Sequence, residues 1–333
     1  MTFNVLWPAV RWPDSREIEQ SSLGQDGTAV FTESIEETTD EQWAHCDAIV
    51  SFKDIPEDIR SRLKKCKIFV TSKVGYDNLD IEAWGKLGIP LCNVPDYGTK
   101  DVADHAIALM LSLMKGIAFH TTELKQNPVV NWRPMLNPFG KRLSCCTLGV
   151  AGLGRIGTAT ALRAKAFGMD VVCYDPLIEN GRELSIGVRR VNSMEALFSE
   201  SDVVSVHLPL SVKTYKIIDT NILKHSKPGL MLINTARGPI VDLDALHDAM
   251  KHDIISTAGL DVLYEEPADP DHPLIKAWAN DEEWIKHRLL ITPHSAFCTP
   301  ESMHDMRYKA GEVAIAYLKH NHLQNCVNRE FLK

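Results

Sequence analysis

Short apolar runs alternate with longer polar segments along the whole chain. In the first hundred residues the runs fall at 3–7, 28–31, 48–52, 68–72 and 90–94, with helix-favouring segments such as 56–65 and 81–86 between them. Such runs read as strands buried on both faces, and strand–helix alternation predicts a parallel sheet covered by helices. Residues 34–42, SIEETTDEQ, are acidic and read as a solvated helix face. The longest helical pattern covers 101–125. It is apolar around much of its circumference, which predicts burial within the chain or against a second subunit. His105 and His120 lie on it and read as packed or solvated helix residues rather than ligands. Residues 126–143 are rich in Asn, Pro and Gly and read as an irregular connection. The alternation then resumes with strands at 148–151, 171–174, 203–207, 230–234, 256–260 and 289–292, followed by a helix at 301–320 that brings Ala310, Val313, Ala314 and Tyr317 to helical spacing. Six parallel strands with crossover helices predict a second doubly wound sheet.

Between the first two strands of that second set stands Gly152-Leu153-Gly154-Arg155-Ile156-Gly157, a G-x-G-x-x-G turn leading into a helical segment at 158–167. In this context Gly152 allows the tight turn, Gly154 lets a pyrophosphate approach the backbone, and Gly157 lets helix pack on strand. The helix N-terminus offers N–H groups and a positive dipole end to phosphates. Asp175 closes the second strand, where an acid binds both ribose hydroxyls. That acid would repel a 2′-phosphate, and Pro176-Leu177 follow it rather than an arginine, so the pattern favours NAD over NADP.

A length of 333 residues suits about two domains. The net charge of −8, with no compensating basic block, argues against nucleic acid as a partner. The longest apolar run, 106–114, is too short to span a bilayer, and the N-terminal residues lack the basic and apolar regions of a signal peptide. The eight cysteines include no C-x-x-C pair, and several sit inside apolar strands. We therefore expect reduced thiols in a cytoplasmic protein, with no disulfide and no metal site, and Cys298 as a bystander.

Ligands of such sheets bind beyond the carboxyl ends of the strands. Strand 230–234 runs into Thr235-Ala236-Arg237-Gly238, strand 256–260 into Asp261 with Glu265-Glu266-Pro267 after it, and strand 289–292 into Pro293-His294. An arginine, an acid pair and a histidine thus converge on one edge of the nucleotide site. That set fits hydride transfer on a 2-oxo acid. A guanidinium grips the carboxylate with two parallel bonds. A histidine donates a proton to the carbonyl oxygen near neutral pH, and an adjacent carboxylate favours imidazolium and fixes the ring.

The chain resembles the D-isomer-specific 2-hydroxyacid dehydrogenases, and within them the branch containing the C-terminal-binding proteins. The resemblance covers almost the whole chain. It rests on Val74-Gly75-Tyr76-Asp77-Asn78-Leu79-Asp80, Cys92-Asn93-Val94-Pro95, Val102-Ala103-Asp104-His105, the glycine turn, Asn234-Thr235-Ala236-Arg237-Gly238, Gly259-Leu260-Asp261-Val262 with Glu265-Glu266-Pro267, and Thr292-Pro293-His294. It implies that the acid directly before the proline, Glu266, pairs with His294, with Arg237 completing the catalytic set. It implies that backbone groups of Lys73, Val74 and Gly75 hold the substrate carboxylate beside Arg237. Val102, the glycine turn from Gly152 to Gly157 with Arg155 and Ile156, Asp175, His207, Leu208, Pro209, Thr214, Thr235, Ala236 and Asp261 are expected to contact NAD, with Asp261 near the carboxamide. Phe297 stands where the C-terminal-binding proteins carry a tryptophan lining the substrate pocket, and is expected to line it here. Phe52, Lys53, Tyr76 and Tyr97 are further lining candidates.

The implied α/β fold has two doubly wound parallel-sheet domains, a Rossmann NAD-binding domain (101–298) inserted into a flavodoxin-like substrate domain (1–100 and 299–333) that closes over the substrate. The implied function is interconversion of a small D-2-hydroxy acid and its 2-oxo acid, with no nucleic-acid or membrane partner and a homodimeric assembly. The rival reading is an NAD(H)-sensing scaffold like the corepressors.

Overall fold

A computed structural model describes residues 2–10 and 14–332. The chain divides into two compact units, Met1–Gly98 with Cys298–Lys333, and Thr99–Phe297. The end residues Met1 and Lys333, which the sequence reading assigns to the first domain, lie outside the described residues.

The first unit is built on β1 (Phe3–Trp7), β2 (Gly27–Phe31), β3 (Ala48–Val50), β4 (Ile68–Thr71) and β5 (Leu91–Asn93). All pair in parallel, in the order β2-β1-β3-β4-β5. The apolar runs are continuous because each strand feeds two cores. Val5, Ala48, Val50, Ile68, Val70 and Cys92 face one, which Leu23 and the Ala310, Val313 and Ala314 face of helix Pro300–His320 complete. Leu6, Ile49, Phe69 and Leu91 face the other, closed by Trp43, Ile59 and Trp84. The acidic stretch does not form one helix. Its first part is turn and bend, and a helix begins only at Asp40, where Thr39 and Gln42 form a capping box. The helix expected over 56–65 is likewise shorter, Glu57–Arg60.

The second unit holds β6 (Thr147–Ala151), β7 (Asp170–Tyr174), β8 (Arg189–Arg190), β9 (Val203–Val206), β10 (Leu230–Asn234), β11 (Ile255–Leu260) and β12 (Leu289–Ile291). Their order, β12-β11-β10-β9-β6-β7-β8, is the dinucleotide-binding order extended by one strand. The apolar pattern predicts six of these strands; the seventh, β8, consists of two arginines and carries no apolar signal. Leu148, Val150, Val171 and Ile233 face one core, covered by helices Thr99–Met114 and Arg155–Ala166. Ala151, Val172, Val204 and Leu232 face the other.

The long helix expected over 101–125 is two helices, Thr99–Met114 and Ile117–Gln126, bent by 53°. Gly116, with φ +63°, makes the break, and the Leu113 carbonyl accepts from the Gly116 amide at 3.2 Å and from Asn137 Nδ2 at 2.9 Å. The first helix buries Ala106, Ile107, Leu109, Met110, Leu113 and Met114 within its own unit, whereas the second has no buried residue.

In the first unit Arg307 is 6% exposed and Glu19 1%. Arg307 Nε and Nη2 donate to Glu19 at 2.6 and 2.8 Å, and Nη1 and Nη2 donate to Asp14 at 2.5 and 2.9 Å. These bonds tie helix Glu17–Leu23 to helix Pro300–His320. The Arg307 hydrogen bond holds the Asp14 carboxyl below its usual pKa, against a smaller opposing effect of burial. This contribution is therefore complete above the ordinary carboxylate range and is lost as pH falls below it. Glu19→Ala leaves the guanidinium buried against a single exposed partner and should cost about 3 kcal/mol or more in urea unfolding. Glu19→Met with Arg307→Leu should cost clearly less, and a double variant as damaged as the single one would contradict this account.

Candidate active site

The residues singled out in the second unit stand at the carboxyl ends of neighbouring strands. After β6 the chain turns at Gly152 with φ +92°, and a Cβ there would stand 2.7 Å from the His207 carbonyl oxygen. A Cβ on Gly157 would stand 2.0 Å from the Gly152 oxygen, so turn, helix start and the end of β9 pack backbone to backbone. Gly154 differs. It is exposed, a Cβ there would meet no protein atom within 4 Å, and it begins helix Arg155–Ala166 without any side-chain cap. Arg155 is exposed and Ile156 half-buried beside it. The uncapped N–H groups and the open approach suit an anion.

Asp175 follows β7. Its Oδ2 accepts from the Leu153 amide at 2.8 Å and its Oδ1 from the Leu177 amide at 2.9 Å, so the acid holds the glycine turn while each oxygen keeps a lone pair for a hydroxyl. An arginine does reach this corner. Arg190 donates to the Asp175 carbonyl oxygen and, at 3.3 Å, to Asn180 Oδ1. It was missed because it arrives from β8, in register with Cys173, rather than directly after the acid.

Beyond β9, His207 Nε2 lies 2.9 Å from Ser205 Oγ, and burial lowers its pKa to about 4, so the ring is neutral. Leu208 packs on the core and Pro209 is exposed. Thr214 Oγ1 donates to the Pro209 carbonyl at 2.6 Å and accepts from the Ser211 amide at 2.8 Å, so this hydroxyl closes its own loop. Val102 is half-buried on helix Thr99–Met114.

At the end of β10 the buried Asn234 latches the turn that follows. Its Nδ2 donates to the Arg237 carbonyl and its Oδ1 accepts from the Ala236 amide, both at 3.0 Å. Arg237 Nη1 donates to the Ala236 carbonyl at 2.7 Å. Thr235 Oγ1 is buried without a hydrogen-bond partner among the described residues. A Cβ on Gly238 would overlap the Leu263 carbonyl oxygen at 1.9 Å, so the arginine turn lies directly on the loop after β11 that carries the acid.

Glu266 Oε1 accepts from the Leu263 amide at 3.1 Å, and Glu266 Oε2 lies 2.6 Å from His294 Nδ1. Burial works against ionisation of Glu266, but the His294 hydrogen bond, the His294 and Arg237 charges and the Leu263 amide outweigh it and hold its pKa below the usual value. Arg237, Glu266 and His294 are thus one electrostatic group, and Glu265 is not the histidine's partner. The Phe297 ring stands edge-on to His294 with centroids 6.2 Å apart.

His294 has a left-handed φ of +51°, and its amide donates to the Asp261 carbonyl at 2.8 Å. The Asp261 carboxylate, 1% exposed, accepts from Thr292 Oγ1 at 2.5 Å and from the amides of Ser295 and Ala296, both at 2.9 Å. His105 Nε2 lies 3.0 Å from Thr292 Oγ1. The expected role of Asp261 toward the cofactor is therefore joined by another: its carboxylate fastens the histidine turn. His105, read as a packed helix residue, is packed against that fastening. Asn234 and Thr292 were quoted only as motif members, and their holding roles had no signal in the spacing.

In the first unit, the Lys73 carbonyl accepts from the Val94 amide at 3.1 Å and the Val74 carbonyl from Asn93 Nδ2 at 2.7 Å, which fixes the segment through Gly75.

Gly238→Ala should push the Arg237 turn off the Leu263 backbone. A displacement of about 1 Å at the reacting groups costs on the order of 100-fold in kcat/KM. NADH binding, followed by fluorescence, should change little, because the glycine turn is untouched. Unaltered kcat/KM would show that the close approach is not needed.

The chain is similar to known proteins over most of its length. The family description "D-isomer specific 2-hydroxyacid dehydrogenase, NAD binding domain" matches residues 107–296. A glyoxylate reductase of Korarchaeum cryptofilum (strain OPF8) is 36% identical over 291 residues, covering 86% of this chain and 84% of that protein. The structure of D-lactate dehydrogenase from Aquifex aeolicus complexed with NAD and lactic acid superposes with a TM-score of 0.79 at 30% identity, covering 96% of each chain. An NADPH-dependent glyoxylate/hydroxypyruvate reductase from Sinorhizobium meliloti, in complex with NADP and malonate, gives a TM-score of 0.82 at 25% identity over 98% of this chain and 97% of that one. With the family description matching more than half of the chain and a relative 36% identical over 86% of it, the chain belongs to the D-isomer-specific 2-hydroxyacid dehydrogenase family, as an NAD-dependent oxidoreductase.

Proposed function

We propose that the protein reduces a short 2-oxo acid with NADH, glyoxylate being the first candidate, and catalyses the reverse oxidation of the D-2-hydroxy acid. The observation that carries this reading is the 2.6 Å contact between His294 and Glu266, with the Arg237 charge acting on the same carboxylate. Gly154 with the uncapped helix start would receive the pyrophosphate, Asp175 the ribose hydroxyls, and the orphaned Thr235 hydroxyl supplies a further polar contact. Bound NAD(H) supplies or accepts the hydride at the substrate carbon. Arg237 grips the substrate carboxylate with its planar fork.

Glu266 is ionised at neutral pH and takes the Nδ1–H of His294, which leaves Nε2 to give its proton to the carbonyl oxygen in reduction and to accept the hydroxyl proton in oxidation. The curated relatives named glyoxylate reductase and the intact Arg237, Glu266 and His294 support turnover over a scaffold role. They also favour a small-acid reductase over membership of the C-terminal-binding-protein branch. We read the cofactor preference as NADH, since Asp175 would repel a 2′-phosphate and Arg190 is engaged with the Asp175 carbonyl and Asn180. A panel of 2-oxo acids assayed with NADH and with NADPH tests the proposal. Oxidation of NADH by glyoxylate or another short member, faster than that of NADPH, is expected; inactivity across the panel would overturn it.

The pH dependence follows from the charge on Glu266. Reduction consumes a proton delivered through His294, so kcat/KM for reduction should fall as pH rises. Glu266→Gln keeps the shape but removes the charge that favours imidazolium, so this alkaline limb should move to lower pH. His294→Ala should abolish most turnover with NADH binding retained, and Arg237→Lys should not restore activity because an ammonium cannot make the paired contact. A limb that stays in place in Glu266→Gln would remove Glu266 from the proton-transfer pair.

A further inference from the structure

The first unit contains a pair of thiols that the proposed reaction does not use. Residues 325–327 run antiparallel along the outer edge of β5, with the Asn93 amide donating to the Asn325 carbonyl at 3.1 Å and the Val327 amide to the Leu91 carbonyl at 2.9 Å. These two bonds flank Cys92 and Cys326, which therefore face each other as a non-hydrogen-bonded antiparallel pair. In such pairs the Cα atoms stand about 4.5 Å apart, inside the range of roughly 4.4–6.8 Å that a disulfide spans. Cys92 is fully buried and Cys326 half-buried, so oxidant reaches one thiol while the other waits behind it.

We propose that Cys92 and Cys326 form a peroxide-responsive site, Cys326 as the reacting thiol and Cys92 as the resolving one, that closes into an intramolecular disulfide. The Cys326 thiolate attacks a peroxide oxygen, the O–O bond breaks, and sulfenic acid and an alcohol or water result. The Cys92 sulfur then attacks the Cys326 sulfur, the S–O bond breaks, water leaves, and the two thiols have lost two electrons to the peroxide. The electrostatics favour this division of roles. The two thiols hydrogen-bond to each other, which lowers Cys326 to about 6, helped by the Asn328 amide and the Arg329 charge against burial. The same bond, with burial, raises Cys92. Cys326 is then the more readily ionised of the two thiols, and the thiolate is the reactive form. The comparison pair, Cys46 and Cys66 at the starts of β3 and β4, lacks this property: the hydrogen bond with Cys46, and burial, push Cys66 far up.

The disulfide would pin the C-terminal segment where Asn328 already holds it, its Oδ1 accepting from the Leu91 amide at 2.8 Å and its Nδ2 donating to the Ile89 carbonyl at 3.1 Å. The pinned strand also carries Asn93, which fixes the Val74 carbonyl.

The test is brief treatment of the native protein with hydrogen peroxide, an acid quench, and peptide mapping with and without reduction. The expected product is a Cys92–Cys326 linked peptide, two hydrogens lighter than its reduced parts and released by dithiothreitol. Cys92→Ser should leave Cys326 as a sulfenic acid trapped by dimedone, and Cys326→Ser should leave Cys92 a thiol; a wild-type urea-unfolding profile shows that both variants fold. The alkylation rate of Cys326 should be half-maximal below the ordinary cysteine value of about 8.5. A link at Cys46–Cys66 instead, or an unlinked Cys326 while Cys145 and Cys298 are oxidised, would overturn the proposal.

Discussion

Asp261 stands at the end of β11 with its carboxylate out of water, and three donors converge on it: the Thr292 hydroxyl and the amides of Ser295 and Ala296. Its own carbonyl takes the His294 amide. The histidine turn therefore has its conformation dictated from one buried side chain, including the left-handed backbone at His294 that a non-glycine residue adopts only when its surroundings impose it. Each donor left unsatisfied there would cost about 1–3 kcal/mol, so the turn cannot drift without several bonds failing together. Asn234 does for Arg237 what Asp261 does for His294, and Gly238 seats the Arg237 turn on the Leu263 backbone of the loop that carries Glu266.

The sheets supply the rigidity behind these turns. In each unit the strands alternate between two apolar cores, which is why their sequences are apolar throughout rather than at every second residue. The strand ends are where that demand stops and polar groups become tolerable. In the second unit those ends hold the glycine turn, Asp175, Thr235, Arg237, Asp261 and His294.

The parts that could be read from sequence share a property: their signal is local. The G-x-G-x-x-G turn, the apolar strands and the choice of Glu266 rested on residues a few positions apart or on a motif resemblance. What could not be read depends on residues brought together by folding. Arg190 reaches Asp175 from a two-residue strand with no apolar pattern. The break at Gly116 is invisible to a periodicity that continues across it, because Asn137, which bonds the Leu113 carbonyl at the break, lies far along an irregular connection. His105 meets Thr292 across much of the unit's sequence, so its spacing could only suggest an ordinary helix face.

The central claim is that Asp261 acts by positioning the proposed proton-transfer histidine, and Asp261→Asn tests it most directly. The amide nitrogen puts a donor where the carboxylate accepted one, so the turn loses its fit at nearly unchanged side-chain volume. The account predicts a fall in kcat on the order of 100-fold, with the Kd for NADH little changed. A variant that binds NADH much more weakly yet keeps its kcat would show instead that the carboxylate serves the cofactor, and would contradict the account.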